Sequence, residues 1–327
     1  MAVMDSTWGS THLMRNEVFS SQIKEMFQDE TIARSLVNWT NELPDGMNLK
    51  INSIGELTLD EAAESTPLPE RRMDTGQFLF NIDEYQGVKV AFTDENFQDN
   101  FMAPQILART PEKMMRAFEE VLESKIFATV NKADGGQTKN NSNTINGYKH
   151  RMTASGTGRV LTLKDFAYAK LALQKANVPM SNLVAFVDPS VAFHLDTTAN
   201  IVDISNNPMW QGVVETGMST GTRFIRNIYG FDVYVSNYLD TASAAETLTT
   251  YNGTSANTVA GDKCALFFSN IGGDGSPFLG AFREQPSIVS WRDEAIRTEF
   301  HEMRARYGLK LYRPENMLTL WHADTVA

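Results

Sequence analysis

The sequence has few of the residues from which reactive or metal-binding sites are built. Its 327 residues include one cysteine, Cys264, and five well-separated histidines without a His-x-x-x-His pair. One cysteine excludes an internal disulfide and a zinc site made of several cysteines. Cys264 opens an apolar, strand-like run, so we expect it to be a small buried hydrophobic residue. The histidines are predicted to be surface residues or hydrogen-bonded core residues rather than ligands.

Motifs for phosphate binding and nucleophilic catalysis are also missing. The Gly-rich segment 272–276 lacks the spacing of a dinucleotide or phosphate loop, and no lysine follows it, which favours a turn. No Gly-x-Ser-x-Gly motif occurs. Asp293 and Glu294 lie near Arg292 and Arg297, but neighbours on a strand point to opposite faces, so salt bridges are favoured over an acid/base pair. The sequence therefore predicts no catalytic residue, no cofactor and no metal site.

Long hydrophobic runs are absent as well. No run approaches the roughly 20 apolar residues that cross a bilayer, and the first residues lack the basic and apolar regions of a signal peptide. We expect a soluble protein made in a cytosol, with no membrane partner. The net charge of −11 disfavours nucleic-acid binding as the primary activity, because neutralising phosphates requires clustered Lys and Arg.

The charge is distributed unevenly along the chain. Residues 50–89 hold four basic and eight acidic side chains, whereas residues 283–313 hold seven basic and five acidic ones. An acidic loop and a mildly basic tail on one chain are able to meet between subunits. The alternative is that both are solvated faces of a single subunit.

The first third of the chain predicts a helix, a ribbon and a second helix. Apolar residues at helical spacing between Val18 and Val37 predict a helix that ends at the turn Pro44-Asp45-Gly46. Residues 47–92 alternate apolar and polar side chains on either side of a charged, proline-bearing stretch, which predicts a long two-stranded ribbon. An isolated ribbon is marginal in water and needs a surface to lie on. Thr110-Pro111-Glu112 is a helix start, followed by an apolar stripe of roughly 20 residues.

The rest of the chain mixes helices and strands without a regular βαβ rhythm. Thr162 starts a helix, 184–187 is a buried strand, and Asp188-Pro189 opens a short helix. A strand, a tight turn and a strand surround Gly230. Residues 240–262 predict a polar surface loop, and 264–268 a further strand. This order favours an α+β fold over a doubly wound sheet.

Several of these segments, in this order and spacing, carry a family resemblance. The chain resembles the tailed-bacteriophage major capsid protein family, whose fold is shared with encapsulin shells. The resemblance covers residues 47–322 and is densest in four stretches. They are Leu161-Thr162-Leu163-Lys164-Asp165 with Asn177-Val178-Pro179, then Phe186-Val187-Asp188-Pro189-Ser190, then Gly230-Phe231-Asp232-Val233-Tyr234, and last Arg306-Tyr307-Gly308 with Arg313-Pro314-Glu315-Asn316-Met317.

The resemblance implies a division of the chain into named parts. These are an N-terminal arm (1–45), an extended loop formed by a long β-hairpin (46–92), a spine helix with the first part of a peripheral domain (93–160), an axial domain (161–266) and the C-terminal part of the peripheral domain (267–327).

The resemblance also implies function and partners. The chain would self-assemble through hexamers and pentamers into an icosahedral shell that encloses double-stranded DNA without sequence-specific binding. Scaffolding, portal and decoration proteins are further expected partners. The expected location is the virion, after assembly in the bacterial host cytoplasm. An acidic wall fits this role, because tight phosphate contacts would hinder packaging and release.

The extended loop supplies the candidate contact residues. Some family members lock their shells with an isopeptide bond from a lysine in this loop, but no lysine lies between Lys50 and Lys89 here. Arginine stays protonated and does not attack an amide, so we expect no such crosslink. The candidates for charge pairing with a neighbouring subunit are all in the loop and are listed together as Arg71, Arg72, Glu61, Glu64 and Glu70.

Three alternatives remain open from the sequence. An encapsulin-type shell has the same architecture around a protein cargo. A soluble α+β enzyme would use the loop 272–276 and would contain a deep polar pocket. A tail or neck structural protein would form rings or tubes rather than closed shells.

Overall fold

A computed structural model describes residues 31–40, 48–54, 59–62, 64, 67, 70, 75–100, 102–132, 144–197 and 224–324. Within these ranges the helices are α1 (Asp94–Asp99), α2 (Ala103–Ala128), α3 (Leu163–Lys175) and α4 (Pro189–Thr197). The strands are β1 (Asn38–Trp39), β2 (Asn48–Ile54), β3 (Thr75–Asn81), β4 (Glu84–Thr93), β5 (Thr144–Ile145), β6 (Tyr148–Lys149), β7 (Arg151–Thr153), β8 (Leu183–Val187), β9 (Phe224–Ile228), β10 (Phe231–Val235), β11 (Thr247–Thr249), β12 (Ser255–Asn257), β13 (Lys263–Ser269), β14 (Phe278–Asp293), β15 (Thr298–Leu311) and β16 (Met317–His322).

A six-stranded mixed sheet, in the order β7-β16-β13-β8-β10-β9, lies in the centre of the apolar core. Both of its faces are covered, so β8 is buried at every position, as its continuous apolar run predicts. Val184 and Phe186 point into the core that contains α2. Leu183, Ala185 and Val187 point into the core that contains α3 and α4. Cys264 is buried on β13, which confirms the sequence prediction.

A second sheet of four strands, in the order β1-β14-β15-β4, is built around a long hairpin. Helix α2 packs its predicted apolar stripe against this sheet, and the ring of Phe118 meets that of Tyr307 edge to face at 5.8 Å. The two sheets and α2 thus share one continuous core. Helices and strands without a βαβ rhythm confirm the α+β class.

Helix α2 begins earlier than the sequence predicted. We placed its start at Thr110-Pro111-Glu112, but it begins at Ala103 and contains Pro111 in its interior. Pro104 occupies the first turn instead, where a missing N–H is harmless. The hydroxyl of Thr110 donates back to the carbonyl of Ile106 at 2.9 Å, so its side chain stabilises a helical turn and does not cap one.

The predicted helix near the chain start is wrong at its C-terminal end. Ala33–Leu36 form a 3-10 turn, Val37 is extended, and β1 runs parallel to β14. The indole of Trp39 stacks on Phe282 at 4.2 Å, a contact that requires the extended conformation. Residues 18–30 and the turn at Pro44-Asp45-Gly46 lie outside the described residues.

The local signals in the middle of the chain are confirmed, with one correction. Thr162 and Asp165 form a capping box at the start of α3, and the carboxylate of Asp188 accepts the backbone N–H of Ser190 at the start of α4. The segment 240–262, predicted as an irregular loop, contains the hairpin β11–β12. Its strands are three residues long and polar, so hydrophobic alternation does not reveal them.

The ribbon β2–β3 pairs antiparallel from Asn48 opposite Asn81 to Ile54 opposite Thr75. Its base is anchored on the body of the subunit, where Phe80 and Ile82 form a small core with Leu279 and Ala281 of β14. Gly308 lies under this crossing, since a β-carbon there would stand 2.4 Å from the carbonyl oxygen of Asn81. The ribbon therefore leaves the body at a fixed point.

Candidate assembly surfaces

Three of the predicted contact residues, Glu61, Glu64 and Glu70, lie between the two strands of the ribbon. Glu61, Glu64 and Glu70 are exposed to solvent. Arg71 and Arg72 lie outside the described residues. The acidic end of the loop is thus available for contacts with other molecules.

The ribbon also exposes apolar side chains. Leu59 is fully exposed, Ile54 is 72% exposed, and Leu79 projects from the outward face of β3. On the inward face, Leu49, Ile51, Phe78 and Phe80 pack towards the body. Apolar side chains therefore lie on both faces of this two-stranded ribbon.

A groove of about 1020 Å³ lies between the ribbon and the end of β15. Its walls carry three cations, Lys132, Lys310 and Arg313, and two carboxylates, Asp83 and Glu315. The ammonium of Lys310 lies 4.8 Å from the centroid of the Phe78 ring, so it also holds the ribbon base. The basic tail noted in the sequence therefore lines this groove beside the ribbon.

Glu84, near the groove, is held ionised by two lysines. Burial raises the pKa of its carboxyl, but Lys132 at 2.9 Å and Lys125 at 3.1 Å outweigh that effect and hold the pKa below the ordinary value. These ion pairs join the start of β4 to the C-terminal end of α2. They fix the position from which the ribbon leaves.

Glu123 on α2 joins the N-terminal segment to the central sheet. One carboxylate oxygen accepts the backbone N–H of Ile32 at 2.6 Å and that of Ala33 at 3.4 Å. The other accepts the hydroxyl of Ser236, which follows β10, at 3.0 Å. The side chain is buried, and sequence reasoning missed it because a lone Glu on a helix reads as a solvated residue.

Two arginines, the buried Arg151 and the half-buried Arg159, tie further segments to the sheet edge. Arg151 donates to both carboxylate oxygens of Glu246 and to the side-chain oxygen of Asn131, and its guanidinium lies over the Trp321 ring. Arg159 makes a bidentate pair with Asp262. Bidentate pairs of this kind fix relative orientation as well as distance.

The far end of the four-stranded sheet carries an exposed aromatic patch and the predicted salt bridges. Trp291 and Phe300 stack at 5.5 Å, with the ammonium of Lys89 over both rings. Arg292 makes a bidentate pair with Asp94 and the predicted salt bridge with Glu294, whereas the carboxylate of Asp293 accepts the backbone N–H of Ala295. Arg297 has a positive φ of 48° and lies in the hairpin turn.

The sheet brings together three residues of catalytic type that the sequence analysis did not connect. The hydroxyl of Ser290 lies 2.7 Å from Nδ1 of His301, and Nε2 of that histidine lies 3.6 Å from Glu299. The carboxylate is too far for a hydrogen bond. All three residues lie on paired strands of the four-stranded sheet, where Ser290 is directly opposite His301.

The described ranges show no other reactive centre. They contain no group of three or more His, Cys, Asp or Glu residues placed to hold a metal ion. Gly272–Ser276 forms a tight turn, as predicted. No helix among the described residues is long and apolar enough to cross a membrane.

Comparison with known proteins gives one family and one fold. Residues 77–319 match the family described as phage capsid protein. No curated protein matches the sequence. A structure from Mycobacterium phage Che8 shares 17% identity over 94% of this chain and 97% of that chain, with a TM-score of 0.67. The mature capsid of bacteriophage PhiM1 shares 10% identity over 99% of this chain and 97% of that chain, with a TM-score of 0.67. The capsid of a native GTA particle shares 10% identity over 98% of this chain and 100% of that chain, with a TM-score of 0.64.

Proposed function

The chain belongs to the phage capsid protein family, as a major capsid protein of the virion, and from this premise we propose that its copies form hexamers and pentamers that close an icosahedral shell around double-stranded DNA. The family indicates a structural protein that assembles with itself. We propose further that it has no enzymatic activity. The cargo-shell and soluble-enzyme alternatives are not favoured, since the family matched is that of phage capsids.

The ribbon is the observation that carries the proposal. It projects from an anchored base, exposes Leu59 and Ile54, and places Glu61, Glu64 and Glu70 in solvent. A monomeric enzyme gains nothing from such a projection, because isolated two-stranded ribbons are marginal and exposed apolar groups favour aggregation. In a shell the same ribbon lies against a neighbouring subunit, and the apolar area is buried there.

The charge distribution along the chain is the basis of the proposed contact. The loop is acidic, and residues 283–313 hold seven basic side chains against five acidic ones. We propose that Glu61, Glu64 and Glu70 of one subunit meet basic side chains of the next, while Arg71 and Arg72 meet acidic ones. Exposed pairs are each worth only about 0–1 kcal/mol, but a shell repeats each of them in every subunit.

The division of the chain follows the same proposal. Residues 1–45 form the arm, 46–92 the extended loop, 93–160 the spine helix and first peripheral part, 161–266 the axial domain, and 267–327 the second peripheral part. The two sheets join these segments, since β4 pairs with β15 and β16 pairs with β13. Strand β4, at the end of the extended loop, and the C-terminal part of the peripheral domain therefore belong to one sheet.

The remaining partners are proposed from the role. Packaged DNA would meet an acidic wall without sequence-specific contacts. Scaffolding, portal and decoration proteins would act on the assembled subunits, and assembly would take place in the host cytoplasm. The net charge of −11 is consistent with a wall that does not grip its contents.

The double variant Arg71→Glu/Arg72→Glu tests the ribbon contact. We expect it to fold normally and to form at least about tenfold fewer closed shells, measured by size-exclusion chromatography and negative-stain microscopy, because like charges then face each other. The control is Glu112→Lys on α2, which reverses a single exposed charge outside the ribbon. Normal shells from the double variant would overturn the assignment of these two arginines.

A further inference from the structure

The four-stranded sheet has two edges, one along β14 beyond the short strand β1 and one along β4, and the two differ in regularity. The β14 edge is covered by β1 only at Leu279 and Gly280. Beyond that point β14 has two register shifts, between Phe282 and Ser287, and it contains Pro286. Bulges and proline are devices by which proteins prevent an edge strand from pairing with another chain.

The β4 edge carries none of these devices. Its residues pair with β15 at every position from Glu84 to Thr93 without a register shift, and the strand contains no proline. Among the described residues, no backbone hydrogen bond outside the β15 ladder involves residues 85–91. An unprotected, regular edge of this length is a template for a further strand.

One hydrogen bond fixes which amides face outwards. The N–H of Asp94 donates to the carbonyl of Arg297 at 3.2 Å, immediately beyond the paired residues Thr93 and Thr298. In an antiparallel ladder, pairs that exchange hydrogen bonds alternate with pairs that do not. The even-numbered residues of β4 therefore bond to β15. The N–H and C=O groups of Tyr85, Gly87, Lys89 and Ala91 point away from the sheet.

The side chains leave this edge accessible. Tyr85 is 63% exposed, and Gly87, Lys89 and Ala91 are exposed as well. Four residues that each offer one donor and one acceptor span about 20 Å, which matches an ordinary strand. The lysine is the only charged group among the four, so little repulsion opposes an incoming strand.

We propose that the outer edge of β4, residues Tyr85 to Ala91, pairs with a strand of a second copy of this chain when the shell forms. The inference rests on the proposed function, because a capsid subunit meets other copies of itself at high local concentration. It deepens that function by assigning a backbone interface distinct from the charged ribbon end. The β14 edge is interrupted by two register shifts and Pro286 between Phe282 and Ser287, whereas the β4 edge is regular over its whole length.

Amide hydrogen exchange resolved to single residues tests the proposal on the wild-type protein. In the unassembled subunit, the amides of Tyr85, Gly87, Lys89 and Ala91 are expected to exchange quickly, and those of Gln86, Val88 and Val90 slowly. In shells, the exchange rates of the first four amides should fall at least tenfold, while those of the other three should change little. Fast exchange of the first set in shells would overturn the inference and leave the proposed function intact.

Two other outcomes are equally decisive. Slow exchange of the first set in the free subunit would mean that the chain covers its own edge, which overturns the inference. Failure of the wild type to form shells with any assembly partner would overturn the proposed function and the inference with it.

A proline substitution gives an independent test. Ala91→Pro removes an outward N–H and leaves the β15 ladder intact, so the subunit should keep its thermal unfolding temperature within a few degrees and lose at least tenfold in shell yield. Ala91→Val, which keeps the N–H, should assemble normally. A folded Ala91→Pro subunit that assembles like the wild type would contradict the proposal. If this variant does not fold, the exchange measurement on the wild-type protein still tests the proposal.

Discussion

At the scale of single residues, Glu123 is 1% exposed and receives hydrogen bonds from two distant segments. It lies in the C-terminal part of α2, the N-terminal segment supplies Ile32, and Ser236 directly follows strand β10 of the central sheet. A buried carboxylate is stable only when its oxygens are satisfied in this way. Glu123 thus holds three parts of the chain together at one point.

We predict that Glu123→Ala lowers the free energy of unfolding by about 2–4 kcal/mol, because three buried donors lose their acceptor. Glu123→Gln keeps one acceptor oxygen and should cost less. Urea unfolding of the unassembled subunit measures both. The matched control is Glu119→Ala, four residues earlier on α2, whose ion pairs with Arg34 and Arg116 are partly exposed and 4.0 Å long. A loss for Glu123→Ala no larger than that of the control would refute the role of Glu123.

Two buried histidines predict sensitivity to mild acid. Burial lowers the pKa of His150 and of His322 below the ordinary value of 6.5, although each ring also meets a backbone carbonyl that acts in the opposite direction. Below pH 6.5 the unfolded chain binds protons that the folded chain does not. Stability is therefore greatest above that pH and falls as the pH falls, by up to about 1.4 kcal/mol per pH unit for each histidine.

The double variant His150→Gln/His322→Gln should flatten this dependence between pH 7 and pH 5, because glutamine does not titrate but is able to donate to the same carbonyls. Urea unfolding at several pH values measures the slope. The lowered pKa of Glu84 acts only below about pH 4.5, so it does not interfere. An unchanged slope in the variant would show that other groups cause the acid sensitivity.

At the scale of the element, α2 combines length with an internal proline. Pro111 has no N–H to donate to the carbonyl of Leu107, and an interior proline costs up to about 3 kcal/mol. We predict that Pro111→Ala raises the free energy of unfolding by about 1–3 kcal/mol, measured by denaturant unfolding. Pro104→Ala is the control and should change little, since the first turn leaves that N–H unpaired in any case. Equal effects of the two substitutions would contradict this account.

Elements with a strong local signal were predictable from the sequence. The capping box at Thr162, the Asp188 start of α4 and the buried run of β8 each follow from a few neighbouring residues. The start of α2 was misplaced because two prolines give the same signal and only packing chooses between them. The extended segment at Asn38–Trp39 pairs with Leu279 and Gly280, about 240 residues away, and no local pattern contains that pairing.

Some features of the candidate surfaces were likewise predictable from the sequence, and others were not. Alternation in the sequence predicted the ribbon, and its composition predicted the acidic end. The open edge of β4 is a property of how strands are ordered, because the same alternation would suit a central strand. The hydrogen bonds to the Glu123 carboxylate depend on three segments that meet in space. Local sequence therefore predicts elements, and the contacts between distant elements decide where surfaces are exposed.

At the scale of the whole molecule, the core and the assembly surfaces occupy separate regions. The two main clusters of buried residues lie on the two faces of the six-stranded sheet, and the ribbon is attached to the body through a small third cluster. The main core does not include any residue of β2 or β3. Folding of the body and contact through the ribbon should therefore be separable by mutation.

This separation predicts the effect of removing the ribbon. Lys50 and Leu79 face each other in the β2–β3 pair, so their Cα atoms lie about 5 Å apart and a two-residue Asn-Gly turn is able to join them. We predict that replacing residues 51–78 by Asn-Gly leaves a folded subunit, because Phe80 and Ile82 remain in place. The loss of Phe78 from its edge-to-face contact with Tyr312 should lower the free energy of unfolding by no more than about 1–3 kcal/mol.

The shortened chain should remain unassembled under conditions in which the full chain forms shells, with sedimentation velocity as the measurement. Near-UV circular dichroism and thermal unfolding establish that it is folded, so a failure to assemble is not a failure to fold. Closed shells from a folded, ribbon-free subunit would show that the ribbon is dispensable. The exposure of Leu59 and Ile54 would then need a different explanation, because burial between subunits would no longer account for it.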